Sequence, residues 1–195
     1  MTTHNTNKLK NLVTQLRPGA VCLAPWLEHQ GVSRNLQQYY VRSGWLEAIG
    51  RGAYARPGER VDWQSALEAL QQQADLDVHV GGVTALTRRG YGHYLYLDKE
   101  RIQLFSIAGV SLPAWFSKKD WGVKIEHIRT GFIPDRPDLK AIESTSRGLR
   151  QSVPERAIME CLYLAPKTMG LVECYQLMEG LANLRPHLVQ VLLEK

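Results

Sequence analysis

Between Leu9 and Leu16 the apolar residues Leu9, Leu12, Val13 and Leu16 recur at the i, i+3, i+4, i+7 spacing of one helical face. Arg17-Pro18-Gly19 ends that helix, because proline disfavours helical geometry in the residue before it. A second short helix is predicted from Cys22 to His29, with Leu23, Trp26 and Leu27 facing inward and Gly31 as its stop. Ser33 has the chemistry of an N-cap for a third helix reaching Arg42, with Val32 as the apolar residue just outside the cap. Leu36 and Tyr40 stack at i, i+4 on its inner face, and Gly44 closes it. Trp45–Ile49 and Ala53–Arg56 then alternate around Gly50-Arg51-Gly52, the pattern of a β-hairpin, and Pro57-Gly58 punctuates its end.

Three helices followed by a hairpin is the order of a winged helix-turn-helix. Beyond it the pattern changes. Asp62 caps a helix whose apolar positions are Trp63, Ala66, Leu67 and Leu70. Strands are predicted at Asp77–Val80, Tyr94–Leu97, Arg101–Ile107 and Val123–Arg129, with Val123, Ile125 and His127 sharing a face of the last, and a short helix at Val83–Arg89. From Pro154 the pattern returns to helix, in three stripes: Ala157, Ile158, Cys161 and Leu162; Leu171, Cys174, Tyr175 and Met178; Leu188, Val191 and Leu192. The expected fold class is α+β: a winged helix-turn-helix over residues 1–60, then an α+β domain over residues 61–195 with a helical C-terminal end. The last helix reaches Glu194-Lys195 without a glycine or proline stop, which predicts that the second domain is incomplete at its C-terminus.

Composition narrows the class. An apolar fraction of 44% over 195 residues suffices for a packed core. No apolar window is long enough to span a membrane, and the polar N-terminus lacks a signal-peptide core, so a cytoplasmic protein without a membrane partner is expected. Cys22, Cys161 and Cys174 form no CxxC pair and read as buried small apolar residues. Charge adds more. Residues 1–60 carry eight basic side chains (Lys8, Lys10, Arg17, Arg34, Arg42, Arg51, Arg56, Arg60) against three acidic ones (Glu28, Glu47, Glu59), whereas the remainder is balanced. All of the net charge of +5 therefore lies in the first third, the footprint of a polyanion-binding surface.

On that reading the helix from Ser33 to Arg42 enters a DNA major groove. Arg34, Asn35 and Gln38 are the candidate base readers, since Arg bridges guanine O6 and N7 and Asn or Gln pairs with adenine; Gln37 flanks them. Ser33, Arg42, Lys8, Lys10 and Arg17 are candidate phosphate contacts, which fix register without reading sequence. Arg51, at the hairpin tip between two glycines, is placed to enter the neighbouring minor groove, and Arg56 to hold the hairpin to the DNA backbone.

Catalytic chemistry finds little support. The six histidines are scattered, no metal-ligand spacing occurs, and Gly50-Arg51-Gly52 and Gly90-Tyr91-Gly92 are isolated GxG triplets, so neither cofactor nor metal is expected. Asp138-Leu139-Lys140, with Asp135 upstream, has the acid-x-lysine form of a metal-dependent nuclease, but these acids share one proline-bounded loop instead of converging from separate strands. Tyr94-Leu95-Tyr96 offers stacking faces for single-stranded bases, but the net-neutral charge around it favours core. The chain is therefore read as non-enzymatic, with a protein-interaction module and a metal-dependent nuclease as the alternatives to DNA binding.

The run GVSRNLQQYYVRSGWLEAIGRGAYARPG (Gly31–Gly58), followed by GGVTALTRRGYGHYLYL (Gly81–Leu97), resembles the AbiEi-type antitoxins of bacterial type IV toxin–antitoxin systems. VPERAIMECLYLAP (Val153–Pro166) and LMEGLANLRPHLVQVLLEK (Leu177–Lys195) resemble the helical C-terminal region of the same family. The resemblance implies a winged helix that represses its own operon by binding inverted repeats in promoter DNA, with two copies on the repeats. It also implies an antitoxin domain that opposes a nucleotidyltransferase-like toxin without a stable complex, in the setting of phage abortive infection. Arg34, Gln37, Gln38, Arg42 and Arg51 fall in the matched DNA-binding motif. The C-terminal match yields no residue-level mechanism. Family members run on past the point where this sequence stops.

Overall fold

The structure is a computed structural model that describes residues 16–91, 100–132 and 140–194. The predicted helix from Leu9, the strand at Tyr94–Leu97, and Lys8, Lys10, Asp135 and Asp138 lie outside the described residues. In chain order the elements begin with β1 (Cys22–Leu23), α1 (Ala24–His29), α2 (Arg34–Arg42), β2 (Glu47–Gly50), β3 (Ala53–Ala55) and α3 (Trp63–Gln73). There follow β4 (Val78–Val80), α4 (Gly82–Thr87), β5 (Arg101–Ser106), the single turn α5 (Ala114–Ser117) and β6 (Lys124–Arg129). The last are β7 (Ile142–Ser144), β8 (Arg150–Ser152), α6 (Pro154–Leu164), α7 (Leu171–Glu179) and α8 (Pro186–Leu193). The chain is thus α+β, and it divides into two compact units.

The first unit holds residues up to Leu76 together with Leu112–Trp121. Its helix caps match the sequence signals: Ser33 caps α2, its Oγ accepting from Leu36 N at 3.4 Å, and Asp62 caps α3, its Oδ1 accepting from Ser65 N at 2.7 Å. The hairpin β2–β3 forms where alternation predicted it, with a bulge between Ala48 and Gly50. Cys22 and Leu23, expected to begin a helix, instead pair with Tyr54 and Ala53, so the antiparallel sheet has the order β1-β3-β2. Two residues are too short a strand for alternation to reveal. The outer edge of β1 is closed by one side chain: Gln73 Oε1 accepts from Leu23 N and Gln73 Nε2 donates to Val21 O, each at 2.7 Å. That clamp ties α3 to the sheet, and the unit expected to close at residue 60 continues through α3 to Leu76. Its core gathers Cys22, Ala24, Leu27, Val32, Tyr40, Leu46 and Tyr54.

The second unit is built on a mixed sheet of order β6-β5-β4-β8-β7. β5 runs parallel to β6 and β4 parallel to β8, while β4–β5 and β7–β8 are antiparallel. The strands β7 and β8 carry no apolar alternation and were not anticipated. Helix α6 is buried almost all round, charged residues included: Glu155, Arg156 and Glu160 are each at most 5% exposed. Glu160 accepts at about 2.9 Å from Gly82 N, Arg156 Nε and Ser152 Oγ, and His79 Nε2 lies 2.9 Å from its Oε1. Burial pushes the Glu160 carboxyl up, but His79, Arg156 and the Gly82 amide together more than offset it and leave it below the usual carboxylate range. A Cβ on Gly81 would lie 2.5 Å from Phe105 and 3.0 Å from the Glu160 carboxyl carbon, so the start of α4 rests directly on this cluster.

The C-terminal stripes are only partly core. In α6, Leu162 is exposed although Ala157, Ile158 and Cys161 are buried. In α7, Leu171, Tyr175 and Met178 face outward with Val172, and the buried side chains are Cys174 and Leu177. In α8, Leu188 and Leu192 are buried as expected. All three cysteines are free and buried, as their spacing implies.

Candidate nucleic-acid interface

Helix α2 presents its exposed residues on one stripe. Arg34, Gln38 and Arg42 follow at i, i+4, i+8 and Asn35 lies beside them, all exposed. Tyr40, Val32 and Leu46 fill the space beneath, with Tyr40 only 1% exposed as the spacing predicted. A four-residue link joins α1 to α2. It is tightened by Val32 N donating to Leu27 O at 2.8 Å and by Gly31 in a left-handed conformation (φ 79°), which disfavours side chains with a Cβ. Ser33 is exposed, and its hydroxyl is engaged as the cap.

Gln37 is a correction. Assigned to flank the base readers, it is 0% exposed; its Nε2 donates to Ala24 O at 3.0 Å and to Val32 O at 2.9 Å. It pins α2 to the start of α1 and to the link between them, and it cannot touch DNA from there. Arg56 is the second correction. Expected to hold the hairpin to a DNA backbone, its guanidinium pairs with Glu59 Oε1 at 3.1 Å and donates to Leu16 O, fastening the chain before β1 to the chain after β3. Arg17 is likewise paired inside the unit, with Glu68 of α3, and lines a cavity with Leu16 and Trp26 apart from the α2 stripe.

Arg34, Gln38 and Arg51 do converge. They rim one open groove of about 530 Å³ between α2 and the hairpin tip, together with Tyr54. The same groove is also lined by the apolar side chains of Leu23, Pro25, Leu70 and Trp115. Arg34 Nε is steadied by Glu28 Oε1 at 2.8 Å on α1, and this hydrogen bond raises a pKa already high enough to keep the group charged. Gly52, at φ 75°, supplies the left-handed turn that brings Arg51 to the tip. Tyr54 and Trp115 were missed by sequence reasoning. Tyr54 reads as an ordinary inward strand residue, and Trp115 comes from a segment expected in the other domain.

Among the described residues, no three His, Cys, Asp or Glu side chains are grouped to hold a metal ion. No described helix is long and apolar enough to cross a membrane.

Comparison with protein families gives two matches. The model of the transcriptional regulator AbiEi antitoxin N-terminal domain matches residues 5–97, and that of the transcriptional regulator AbiEi antitoxin, Type IV TA system, matches residues 99–195. Among solved structures, the crystal structure of the RV2827C protein from Mycobacterium tuberculosis superposes with a TM-score of 0.57 at 16% identity, covering 100% of this chain and 72% of that one. At that identity the likeness concerns the fold alone. The curated proteins include no match.

Proposed function

Because the chain belongs to the AbiEi antitoxin family, transcriptional regulators of type IV toxin–antitoxin systems, we propose that it represses its own operon by binding promoter DNA through a winged helix-turn-helix. In this reading α1 and α2 are the two motif helices, α2 lies in the major groove, and β2–β3 is the wing. The observation that carries the reading is the convergence on one groove of Arg34 and Gln38 from α2 with Arg51 from the wing tip, all three from the basic first third. Arg34, Asn35 and Gln38 read base edges; Arg42 and the Ser33 end of the helix meet phosphates, with Lys8 and Lys10 assigned to the backbone from their sequence position. Arg51 enters the adjacent minor groove. Two copies occupy inverted repeats. The remainder of the chain opposes a nucleotidyltransferase-like toxin functionally, without a stable complex, and the protein acts by binding and not by turnover.

A duplex spanning the sequence upstream of its own reading frame tests this. Binding should fall steeply as salt rises, with a log–log slope set by the number of phosphates neutralised. Arg34→Ala should cost about 1–3 kcal/mol on the preferred site and relax base preference there. Duplex binding that ignores salt, or a retained partner protein in place of DNA, would refute the assignment.

A further inference from the structure

The one-turn helix α5 belongs to the same unit as the wing although it follows α3 only after an intervening stretch of the second unit. Trp115 of α5 packs on Gly50 at the end of β2: a Cβ there would lie 2.9 Å from Trp115 Cγ and 3.5 Å from its Cα, and closer still to its Cβ. Only glycine fits. Trp115 is itself braced, its ring meeting Phe116 edge-on at 5.9 Å; Phe116 is fully buried, and its carbonyl accepts from Trp121 Nε1 at 2.8 Å. The wing needs such support. β2 is an edge strand of its sheet, Glu47 and Ala48 are exposed, and a bulge interrupts its pairing beside Gly50. A hairpin of this kind has little stability of its own. Trp115 also lines the groove that Arg34, Gln38 and Arg51 rim.

We propose that Trp115 is a positioning residue for the wing: seated on Gly50, it fixes where Arg51 stands relative to the reading face of α2. This deepens the DNA-binding reading and rests on it. The segment Leu112–Trp121 thereby completes an interface whose proposed DNA-contacting residues all precede residue 60.

The test uses the full chain, the duplex upstream of its own reading frame, and an unrelated duplex of equal length. Arg51→Ala should weaken binding to the upstream duplex roughly tenfold. Trp115→Ala should weaken it by a similar factor, and the double variant should bind no worse than either single one. Gly50→Ala, which displaces the wing without deleting the aromatic contact, should behave alike and guards against a folding defect in Trp115→Ala. Hydrogen exchange without DNA gives a second readout: amides of the wing should exchange faster in both variants while those of α2 and α3 stay protected. Multiplicative losses in the double variant, or wing exchange unchanged in both variants, would overturn the proposal. A native protein that binds neither duplex would instead overturn the DNA-binding reading, and wing exchange would still decide the role of Trp115.

Discussion

Gln37 and Gln38 are adjacent, chemically identical and opposite in consequence. Gln37→Ala removes two buried hydrogen bonds and strands the carbonyls of Ala24 and Val32 without that donor. Each such loss costs about 1–2 kcal/mol, and deleting the unpaired Gln37 Oε1 returns part of it, leaving a net destabilisation of roughly 2–3 kcal/mol. For a unit of this size that is a fall of roughly 10–20 °C in Tm. Gln38→Ala, on the exposed stripe, should shift stability by less than about 0.5 kcal/mol. It should instead weaken binding to the preferred duplex by about 1–3 kcal/mol if it reads a base. Thermal melts followed by tryptophan fluorescence, paired with gel shifts well below the transition, separate the two effects. A Gln37→Ala protein that melts like the parent but loses base preference would refute the burial-based assignment, and with it the orientation of α2.

Other expectations follow from the same geometry. Replacing Glu160 by Gln removes the buried negative charge that pairs with Arg156 and accepts from Gly82 and Ser152, and should destabilise the second unit by about 3–5 kcal/mol in urea melts. Glu155 is likewise held low: burial raises it, and hydrogen bonds from the Arg185 side chain and backbone more than compensate. Because both carboxyls sit lower folded than unfolded, their stabilisation should be full above the ordinary glutamate value near ~4.3 and vanish as pH falls through the lower folded values; melts that do not weaken in acid would contradict this. Burial pushes the Cys22 thiol up to about 12 and raises Cys161 and Cys174 as well, so a disulfide reagent should find no fast-reacting thiol until the chain unfolds. Arg42→Ala, at a phosphate contact, should reduce the salt slope of duplex binding by roughly one, and Arg56→Ala should leave it unchanged.

What the sequence made legible was local. Ser33 and Asp62 announce their helices because the cap is a property of three or four adjacent residues, and the glycines around Arg51 announce the hairpin for the same reason. Gln37 is hard to place because its polarity points outward while its position does not: on the helix wheel it neighbours Tyr40, on the side away from Leu36, and so shares the inward face. β7 and β8 escaped because their pairing, not their side chains, makes them strands. Glu155, Arg156 and Glu160 escaped because a buried charge looks like a solvated one until its partners, His79 and Arg185 among them, are seen to converge from distant positions. Arg56 offered a basic side chain at a plausible place, and only the fold shows that Glu59 and the Leu16 carbonyl already hold it.

The return of Leu112–Trp121 to the first unit bears on how the protein is born. A ribosome that has released α3 has made nearly all of that unit but not the piece that seats against Gly50, and must add the intervening stretch before it can close. Long-range closures of this sort slow folding and prolong the exposure of unpaired sheet edges. A fragment cut at the end of the first family match, residue 97, would lack that piece permanently. Such a fragment would show how the nascent chain behaves while it waits.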